Sequence, residues 1–248
     1  MTTARAVDDG VELRWKADGR EHHQTFARVL AATGRRPNLD GLDLDAAEIE
    51  LDAHGVPRFD PRTMRCGESA VFVAGDVDDD RPLLHEAVDE GHLAGLNAAR
   101  LARGTDARPR AHLRRAPLTV VFTHPQIGLA GLTHKDLAER DFVVGEVDYR
   151  DQGRARVMAK NRGLVRIYAD PTDGRLLGAE MFGPAVEHTA HLVAWAIQRR
   201  FTVVEALEMP FYHPCIEEGI RSALRDLAAR LKMFDRVEVA CVDCGPGS

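Results

Sequence analysis

The first half of the chain shows strand-like alternation and one continuous apolar run. Apolar and polar residues alternate over residues 11–15 and 24–30 on either side of a polar turn, which predicts two antiparallel strands joined by a hairpin. Residues 70–74 are continuously apolar and are followed by Gly75 and Asp76, which predicts a buried strand with a polar residue at its carboxyl end. Ligands bind at that end of the strands in open α/β sheets.

A connecting segment precedes this predicted strand in the sequence, and a helix and a linker follow it. Residues 39–65 are rich in Asp and Gly, which predicts a loop-dominated segment that connects rather than packs. Small residues recur at helical spacing from Leu83 or Leu84 to Leu101 and predict a helix that another element can approach closely. The basic stretch at residues 103–115 predicts a linker into the second half.

Beyond the linker, the pattern changes to strands followed by helices. Thr202 and Glu205 form the capping box that opens a short helix. The order predicts an α+β fold, an antiparallel sheet with helices on one face, preceded by a partial α/β segment. The predicted elements are strands from Leu118 and over residues 142–149, 164–169 and 176–182, a short helix over residues 135–139 capped by Thr133, and a longer helix over residues 185–199.

The last predicted helix follows a histidine-proline pair. Proline crowds the preceding residue out of the helical region and suits the first helical position, so the helix is predicted to begin at Pro214, after His213, and to run to about Lys232. Its apolar residues share one face, and Glu218 lies on the opposite, polar face. Glu218 could accept a hydrogen bond from the histidine ring, with Glu217 as a competing partner. The alternative is a capping histidine and a solvated carboxylate.

Composition restricts the classes of function. With 248 residues, 44% apolar residues and a net charge of -6, the chain has room for two domains and no positive excess that would favour nucleic acid or an anionic membrane. Because no apolar run approaches the roughly 20 residues that span a bilayer and no secretion signal is present, a cytoplasmic location is expected. Cys66 and Cys215 are isolated, Cys241 and Cys244 form a Cys-x-x-Cys pair in the tail, and no metal site is predicted.

Four stretches resemble, in the same order, the motifs of one enzyme family. They are ATGRRPN at residues 32–38, VAGDV at 73–77, VFTHPQIGLAGLT at 121–133 and His-Pro-x-x-x-Glu at 213–218. The chain resembles the dimeric flavoprotein disulfide reductases, which include dihydrolipoyl dehydrogenase, glutathione reductase and mercuric reductase. The resemblance covers roughly residues 29–229 and only the carboxyl-terminal half of such an enzyme, so it implies a fragment or an isolated domain.

The resemblance implies an acid-base pair near the carboxyl end. In the family, the histidine, here His213, exchanges a proton with the thiol of the partner subunit's redox disulfide or of a dithiol substrate, and the glutamate, here Glu218, holds the ring. Imidazole exchanges protons near neutral pH, as this step requires. The resemblance also implies a homodimer that acts on a small disulfide or a lipoyl-type substrate.

The resemblance implies a second group of residues that contact FAD. It assigns Asp76, beside Gly75, to a ribityl hydroxyl, and carboxylates accept hydrogen bonds from hydroxyls. The backbone N–H groups at Leu84 and His85 would point toward the flavin at the start of a helix. Gly34 would place backbone near the FAD.

The chain also departs from the family pattern. It has no Gly-x-Gly-x-x-Gly turn, and it lacks the family's redox cysteines separated by four residues. FAD and NAD(P) are therefore expected in a full-length enzyme whose amino-terminal FAD/NAD domains are missing here, with no cofactor bound stably and no turnover by this chain alone. Cys215 replaces the threonine that is most common after His-Pro in dihydrolipoyl dehydrogenases.

Three functions remain open. The leading prediction is the carboxyl-terminal portion of a dihydrolipoyl dehydrogenase-like NAD(P)H:disulfide oxidoreductase. The alternatives are a mercuric reductase in which Cys241 and Cys244 deliver the metal, and a non-catalytic dimerising module. The predicted domains are the end of a nicotinamide-binding domain (1–38), the centre of an FAD-binding domain with a linker (39–114), a dimerisation domain (115–234) and a flexible tail (235–248).

Overall fold

The computed structural model describes residues 3–104 and 108–233. The chain divides into two compact units, Met1–Arg110 and Ala111–Ser248. The tail that contains Cys241 and Cys244 lies outside the described residues, so the prediction for it stays a prediction.

A three-stranded antiparallel sheet occupies the start of the first unit. Its strands are β1 (Thr3–Val7), β2 (Gly10–Ala17) and β3 (Arg20–Phe26), in that order in the sheet. Asp18 and Gly19 join β2 to β3 with φ angles of 49° and 72°, the left-handed backbone that a two-residue hairpin requires. The predicted hairpin is present, but β3 ends at residue 26 rather than 30. The sequence does not predict β1, because its residues are all exposed and show no apolar alternation.

Residues 39–65, which were predicted only to connect other elements, also contribute to a small hydrophobic core. Residues 39–65 consist of turns and isolated bridges, but Ile49 and Cys66 are buried together with Val73 in a small core. Many Asp and Gly residues thus surround a few well-spaced apolar residues, and these are enough to form a local cluster.

The predicted strand at residues 70–74 is not formed. Only Phe72 makes a bridge, to Arg65, because the described residues provide no neighbouring strand with which the run could pair. The chain continues into a short 3-10 helix (Asp76–Asp78) and then into α1 (Leu84–Ala102), which agrees with the predicted helix.

The second unit is built on a five-stranded antiparallel sheet. Its strands are β4 (Leu118–Val121), β5 (Gln126–Gly131), β6 (Val143–Asp148), β7 (Leu164–Ala169) and β8 (Leu176–Gly183), arranged in the order β4-β5-β8-β7-β6. Alternation along β7 shows the two faces, because Val165 and Ile167 are buried whereas Arg166 between them is exposed. This is the antiparallel sheet of the predicted α+β fold.

The described part of this unit contains the α-helices α2 (Gly153–Val157), α3 (Val186–Gln198), α4 (Val203–Leu207) and α5 (Glu218–Arg230). α3 packs against β5 and β8, and α5 packs against β6 and β7, on the same face of the sheet. Gly145 lets α5 come close, because a Cβ atom there would lie 2.3 Å from the carbonyl oxygen of Ala223. The long helices therefore cover one face, as predicted.

Two short elements differ from the prediction. Residues 135–139 form turns and not a helix, because Asp136 accepts hydrogen bonds from the backbone N–H and hydroxyl of Thr133 and closes a single turn. The five-residue helix α2 was not predicted, since it is too short to show an apolar stripe.

The last helix begins later than predicted. Residues 213–217 form bends and turns, the His213–Pro214 peptide is cis, and the first residue of α5 is Glu218 and not Pro214. The backbone N–H of Gly219 donates to the carbonyl of Ile216 at 2.9 Å, so a tighter turn precedes the regular helix.

A buried tyrosine supports the start of α5. Tyr149 is completely buried, and the Cβ atom of an alanine at position 219 would lie 2.3 Å from Cε1 of its ring. The Tyr149 hydroxyl has no hydrogen-bond partner among the described residues, and burial raises the pKa of this group. Glycine at position 219 therefore sets how closely the helix approaches the ring.

Replacing Gly219 by alanine tests this packing. We expect Gly219→Ala to lower the free energy of unfolding by about 1–3 kcal/mol, because the added methyl group overpacks a filled site. Gly95→Ala in α1 is the control, since a Cβ atom there meets nothing within 4 Å, and its helix propensity should leave stability unchanged or slightly higher. Urea unfolding followed by circular dichroism measures both changes. Equal stability of the two variants would contradict the packing argument.

Candidate functional site

The loop before α5 holds a histidine and a glutamate in direct contact. Nδ1 of His213 lies 2.6 Å from Oε1 of Glu218, and Oε2 of Glu218 accepts the backbone N–H of Cys215 at 3.0 Å. The histidine side chain is 66% exposed, whereas the glutamate side chain is only 1% exposed. A buried carboxylate thus holds a ring that reaches solvent.

The position of Glu218 corrects the sequence prediction. Glu218 was expected on the exposed polar face of a helix that begins at Pro214, but it is among the most buried side chains of the chain. The helical pattern fails here because regular helix begins only at Glu218, and its carboxylate turns back toward the preceding loop. The first turn of a helix favours a negative charge, which helps to stabilise the carboxylate there.

The hydrogen bond determines which ring nitrogen is available for chemistry. An ionised carboxylate can only accept, so Nδ1 of His213 carries the hydrogen and donates it to Glu218. Nε2 is then the nitrogen with a free lone pair, and it belongs to a largely exposed side chain. The arrangement can therefore take a proton at Nε2 and stabilise the resulting positive charge.

The competing partner, Glu217, is not bonded to the histidine ring among the described contacts. Glu217 instead interacts with Cys215. Burial is the larger cause that raises the pKa of the Cys215 thiol, and a side-chain hydrogen bond to Glu217 is the second. The thiol of Cys215 also donates to the carbonyl of Tyr212 at 2.7 Å. Cys215 therefore remains a protonated thiol at neutral pH and not a thiolate nucleophile.

A glutamine that the sequence analysis missed holds the other side of this loop. Nε2 of Gln152 donates to the carbonyl of Cys215 at 2.6 Å, and its Oε1 accepts the backbone N–H of Ala155 at 2.6 Å. Gln152 is 5% exposed and sits at the N-terminal cap of α2. A polar residue before a short helix suggests a cap, but its contact with a loop more than 60 positions away leaves no signal in the sequence.

The first unit contains the second predicted group. Oδ2 of Asp76 lies 2.5 Å from Nη1 of Arg35, and Nη2 of the same arginine donates to the carbonyl of Pro82 at 3.0 Å. Arg35 directly follows Gly34, whose φ of 116° is a conformation that favours glycine. The structure therefore brings Gly34 and Asp76 close together through Arg35, a contact that the sequence analysis did not identify.

Gly75 and the start of α1 lie beside this pair. Gly75 has a φ of 78°, donates its N–H to Oε2 of the buried Glu90 at 2.8 Å, and would place a Cβ atom 3.2 Å from that of Ala87. Leu84 and His85 are the first residues of α1 and are exposed, with backbone N–H groups that begin the helix. Gly75 thus contacts the first turn of α1 directly, while Arg35 links Asp76 to the carbonyl of Pro82 just before that helix.

These residues fit part of a flavin and not all of it. The Asp76 side chain is 44% exposed and can accept hydrogen bonds from a polyol, and the start of α1 offers free N–H donors. The sequence contains no glycine-rich turn for a pyrophosphate. The described residues therefore suit a ribityl contact but lack the phosphate site.

Comparison with known proteins identifies the class. Residues 118–224 match the family described as pyridine nucleotide-disulphide oxidoreductase, dimerisation domain. The matched residues include the whole sheet of the second unit and the His213–Glu218 pair. Residues 118–224 therefore form a dimerisation domain of the pyridine nucleotide-disulphide oxidoreductase family, the family that the sequence motifs resemble.

The chain is similar to curated members of this family. It is 33% identical to dihydrolipoyl dehydrogenase of Haloferax volcanii over 223 residues, which is 88% of this chain and 45% of that protein. It is 29% identical to mercuric reductase of Acidithiobacillus ferrooxidans, over 84% of this chain and 37% of that protein. The chain thus spans less than half the length of these two relatives.

Solved structures support the fold. LpdA of Mycobacterium tuberculosis superposes with a TM-score of 0.71 at 25% identity, over 91% of this chain and 47% of LpdA. The HOCl-induced flavoprotein disulfide reductase RclA of Escherichia coli has a TM-score of 0.69 at 20% identity, over 91% of this chain and 49% of RclA. Among the described residues, no helix is long and apolar enough to cross a membrane.

The contact of Gln152 with the loop can be tested by substitution. Gln152→Ala leaves the half-buried carbonyl of Cys215 without its donor, so we expect a loss of about 1–3 kcal/mol in the free energy of unfolding and faster hydrogen exchange at the Cys215 amide. Gln198→Ala is the matched control, because Gln198 accepts a single hydrogen bond at an exposed site. If both variants lost the same stability with unchanged exchange at Cys215, Gln152 would not hold the loop.

Proposed function

We propose that this chain is the carboxyl-terminal portion of a flavoprotein NAD(P)H:disulfide oxidoreductase of the dihydrolipoyl dehydrogenase type, with His213 and Glu218 as its acid-base pair. The observation that carries the proposal is the 2.6 Å contact between an exposed imidazole and a buried carboxylate. The similarity to dihydrolipoyl dehydrogenase of Haloferax volcanii supports the choice of substrate class.

In this proposal the chain's own residues handle protons. Nε2 of His213 accepts a proton from a substrate thiol as the thiol becomes a nucleophile, and Glu218 stabilises the imidazolium and fixes the ring orientation. In the reverse direction the imidazolium returns the proton to the thiolate. The buried position of Glu218 strengthens this interaction because water screens it only from the exposed side of the His213 ring.

FAD and NAD(P) belong to the complete enzyme in this proposal. FAD, when bound, supplies electron transfer between a nicotinamide and a disulfide. Asp76 would hold the ribityl chain, while Gly34, Gly75 and the backbone at Leu84 and His85 would line its approach. We expect no stable flavin on this chain alone, because its sequence contains no glycine-rich turn for the pyrophosphate, and we assign that contact to amino-terminal FAD/NAD domains of the complete enzyme.

The proposal extends to the domain organisation and to the partner. We assign residues 1–38 to the end of a nicotinamide-binding domain, 39–114 to the centre of an FAD-binding domain with its linker, and 115–234 to a homodimerisation domain. An apolar groove supports the last assignment. It is lined by partly exposed side chains of α3 and of the loop before His213, namely Leu192, Trp195, Met209 and Tyr212.

Light scattering can test the homodimer. We expect twice the chain mass at micromolar concentration, and we expect Trp195→Glu to yield a monomer, because Trp195 is 63% exposed in the groove and a charge there would have to be desolvated in the interface. Leu113→Glu is the control, since Leu113 is 79% exposed and lies outside the groove. A monomeric unsubstituted chain, or equal effects of both changes, would argue against this dimer.

The acid-base assignment is tested by separating the two half-reactions of the complete enzyme. His213→Gln keeps hydrogen-bonding capacity but removes proton exchange, so we expect the dithiol-disulfide half-reaction to slow by ~100-fold or more. Flavin reduction by the nicotinamide should change far less. Stopped-flow absorbance of the flavin follows both steps.

The two glutamates provide an internal comparison. Glu218→Gln should give a smaller loss of the same kind as His213→Gln, because it weakens the orientation and charge stabilisation of the ring. Glu217→Gln should have little effect on either half-reaction, since Glu217 interacts with the Cys215 thiol and not with the His213 ring. Equal, mild effects at all three positions would contradict the assignment and favour the alternative, a capped surface helix without catalytic function.

A further inference from the structure

We propose that residues 150–162, which we term the basic segment, make this site selective for a disulfide substrate that carries a carboxylate, such as free lipoic acid. The inference rests on the proposed function and specifies, in addition, that the preferred substrate is negatively charged. Its basis is the charge, the position and the adjoining cavity of the basic segment.

The basic segment has the opposite charge to the rest of the chain. It contains five cationic residues and one carboxylate, Asp151, in a chain whose net charge is -6. Arg150 is paired with Asp148 at 3.0 Å. The other four cations are exposed and have no ion pair among the described residues: Arg154, Arg156, Lys160 and Arg162. Long cationic side chains without acidic partners are available for an anionic ligand.

The basic segment is fixed to the loop that carries His213. Its residue Gln152 donates to the carbonyl of Cys215, two positions after His213. Tyr149, directly before the segment, packs against Gly219, directly after Glu218. The segment connects β6 to β7 at the end of the sheet where β8 ends and α3 begins. The four cations and the histidine therefore lie at the same end of the second unit.

A cavity with polar and apolar lining adjoins the carboxyl end of the segment. It has a volume of about 540 Å³ and is lined by Lys160 and Arg162 on one side and by Thr123 and Gln126 on the other. This size suits a small molecule, whereas a macromolecule would need a broad surface. Hydroxyl, amide and cationic groups together are suited to a carboxylate.

Acidic groups near the site do not cancel this charge. Glu187 lines the same cavity, and its Oε2 is buried without a hydrogen-bond partner among the described residues. Glu217 lies beside Cys215, and Glu218 is taken up by the His213 ring and the Cys215 amide. At the cavity itself, the two cations Lys160 and Arg162 outnumber the one lining carboxylate, Glu187, so the cavity stays positive and favours an anionic chain over a neutral one.

The test compares lipoic acid with lipoamide in the complete enzyme, since the two disulfides differ in one charge. We expect Lys160→Gln combined with Arg162→Gln to lower kcat/KM for NAD(P)H-dependent reduction of lipoic acid by about two- to fivefold per charge, as for exposed ion pairs, and to leave lipoamide within about twofold. Added salt should reduce the preference for lipoic acid over lipoamide in the unsubstituted enzyme and not in the double variant.

Two further variants serve as controls. Lys135→Gln removes one exposed charge at the opposite end of β5 and should leave kcat/KM unchanged for both substrates. Lys160→Arg keeps the charge and should keep the preference for lipoic acid. An equal loss for lipoic acid and lipoamide, or no loss for either, would overturn the inference and leave the proposed function intact. If the unsubstituted enzyme reduced neither compound, the proposed function would fail and the inference with it.

Discussion

The buried carboxylate of Glu218 is the interaction on which the candidate site depends. Removing a carboxylate from water costs several kcal/mol, and the cost is acceptable only where hydrogen bonds replace the lost hydration. Glu218 accepts one hydrogen bond from the His213 ring and one from the Cys215 amide, and it occupies the first turn of α5. The same contacts that make its burial tolerable also fix the loop and the tautomer of the ring.

The surroundings of this carboxylate are arranged to keep it in place. Tyr149 fills the space beside the helix start and leaves no room for a Cβ atom at position 219 without a local shift, while Gln152 binds the loop from the side of α2. The strands and long helices of the second unit thus support one short loop, which has little regular structure of its own. A rigid sheet that positions a functional loop is a common arrangement, because loops carry chemistry and sheets provide precision.

Sequence patterns predicted the elements whose burial is periodic. Strand β7 was predicted at its observed limits, and α3 and β8 were each predicted to within one residue at either end, because burial alternates clearly along them. The contact of His213 with Glu218 was also predicted, since it links residues close in sequence. Local patterns are sufficient where the partners are neighbours along the chain.

The errors arose where distant parts of the chain decide the structure. The apolar run at residues 70–74 lacks a neighbouring strand, so its hydrophobicity alone did not make it a strand. Glu218 appeared solvated on a helical projection, but the loop before it departs from helical geometry. Gln152 and Arg35 act through contacts with residues far along the chain, and no local spacing indicates such contacts.

The two predicted groups of site residues differ in how complete they are. His213 and Glu218 form a finished hydrogen-bonded pair within one unit, and their geometry requires no other chain to be understood. Asp76 already has a partner in Arg35, and a ligand hydroxyl would have to share that carboxylate with the guanidinium. Each oxygen of a carboxylate accepts more than one hydrogen bond, so Asp76 can serve both partners at once. If Asp76 binds a polyol as we propose, Arg35 holds its carboxylate in position, and Arg35 then belongs to the proposed site as well as to the chain crossing.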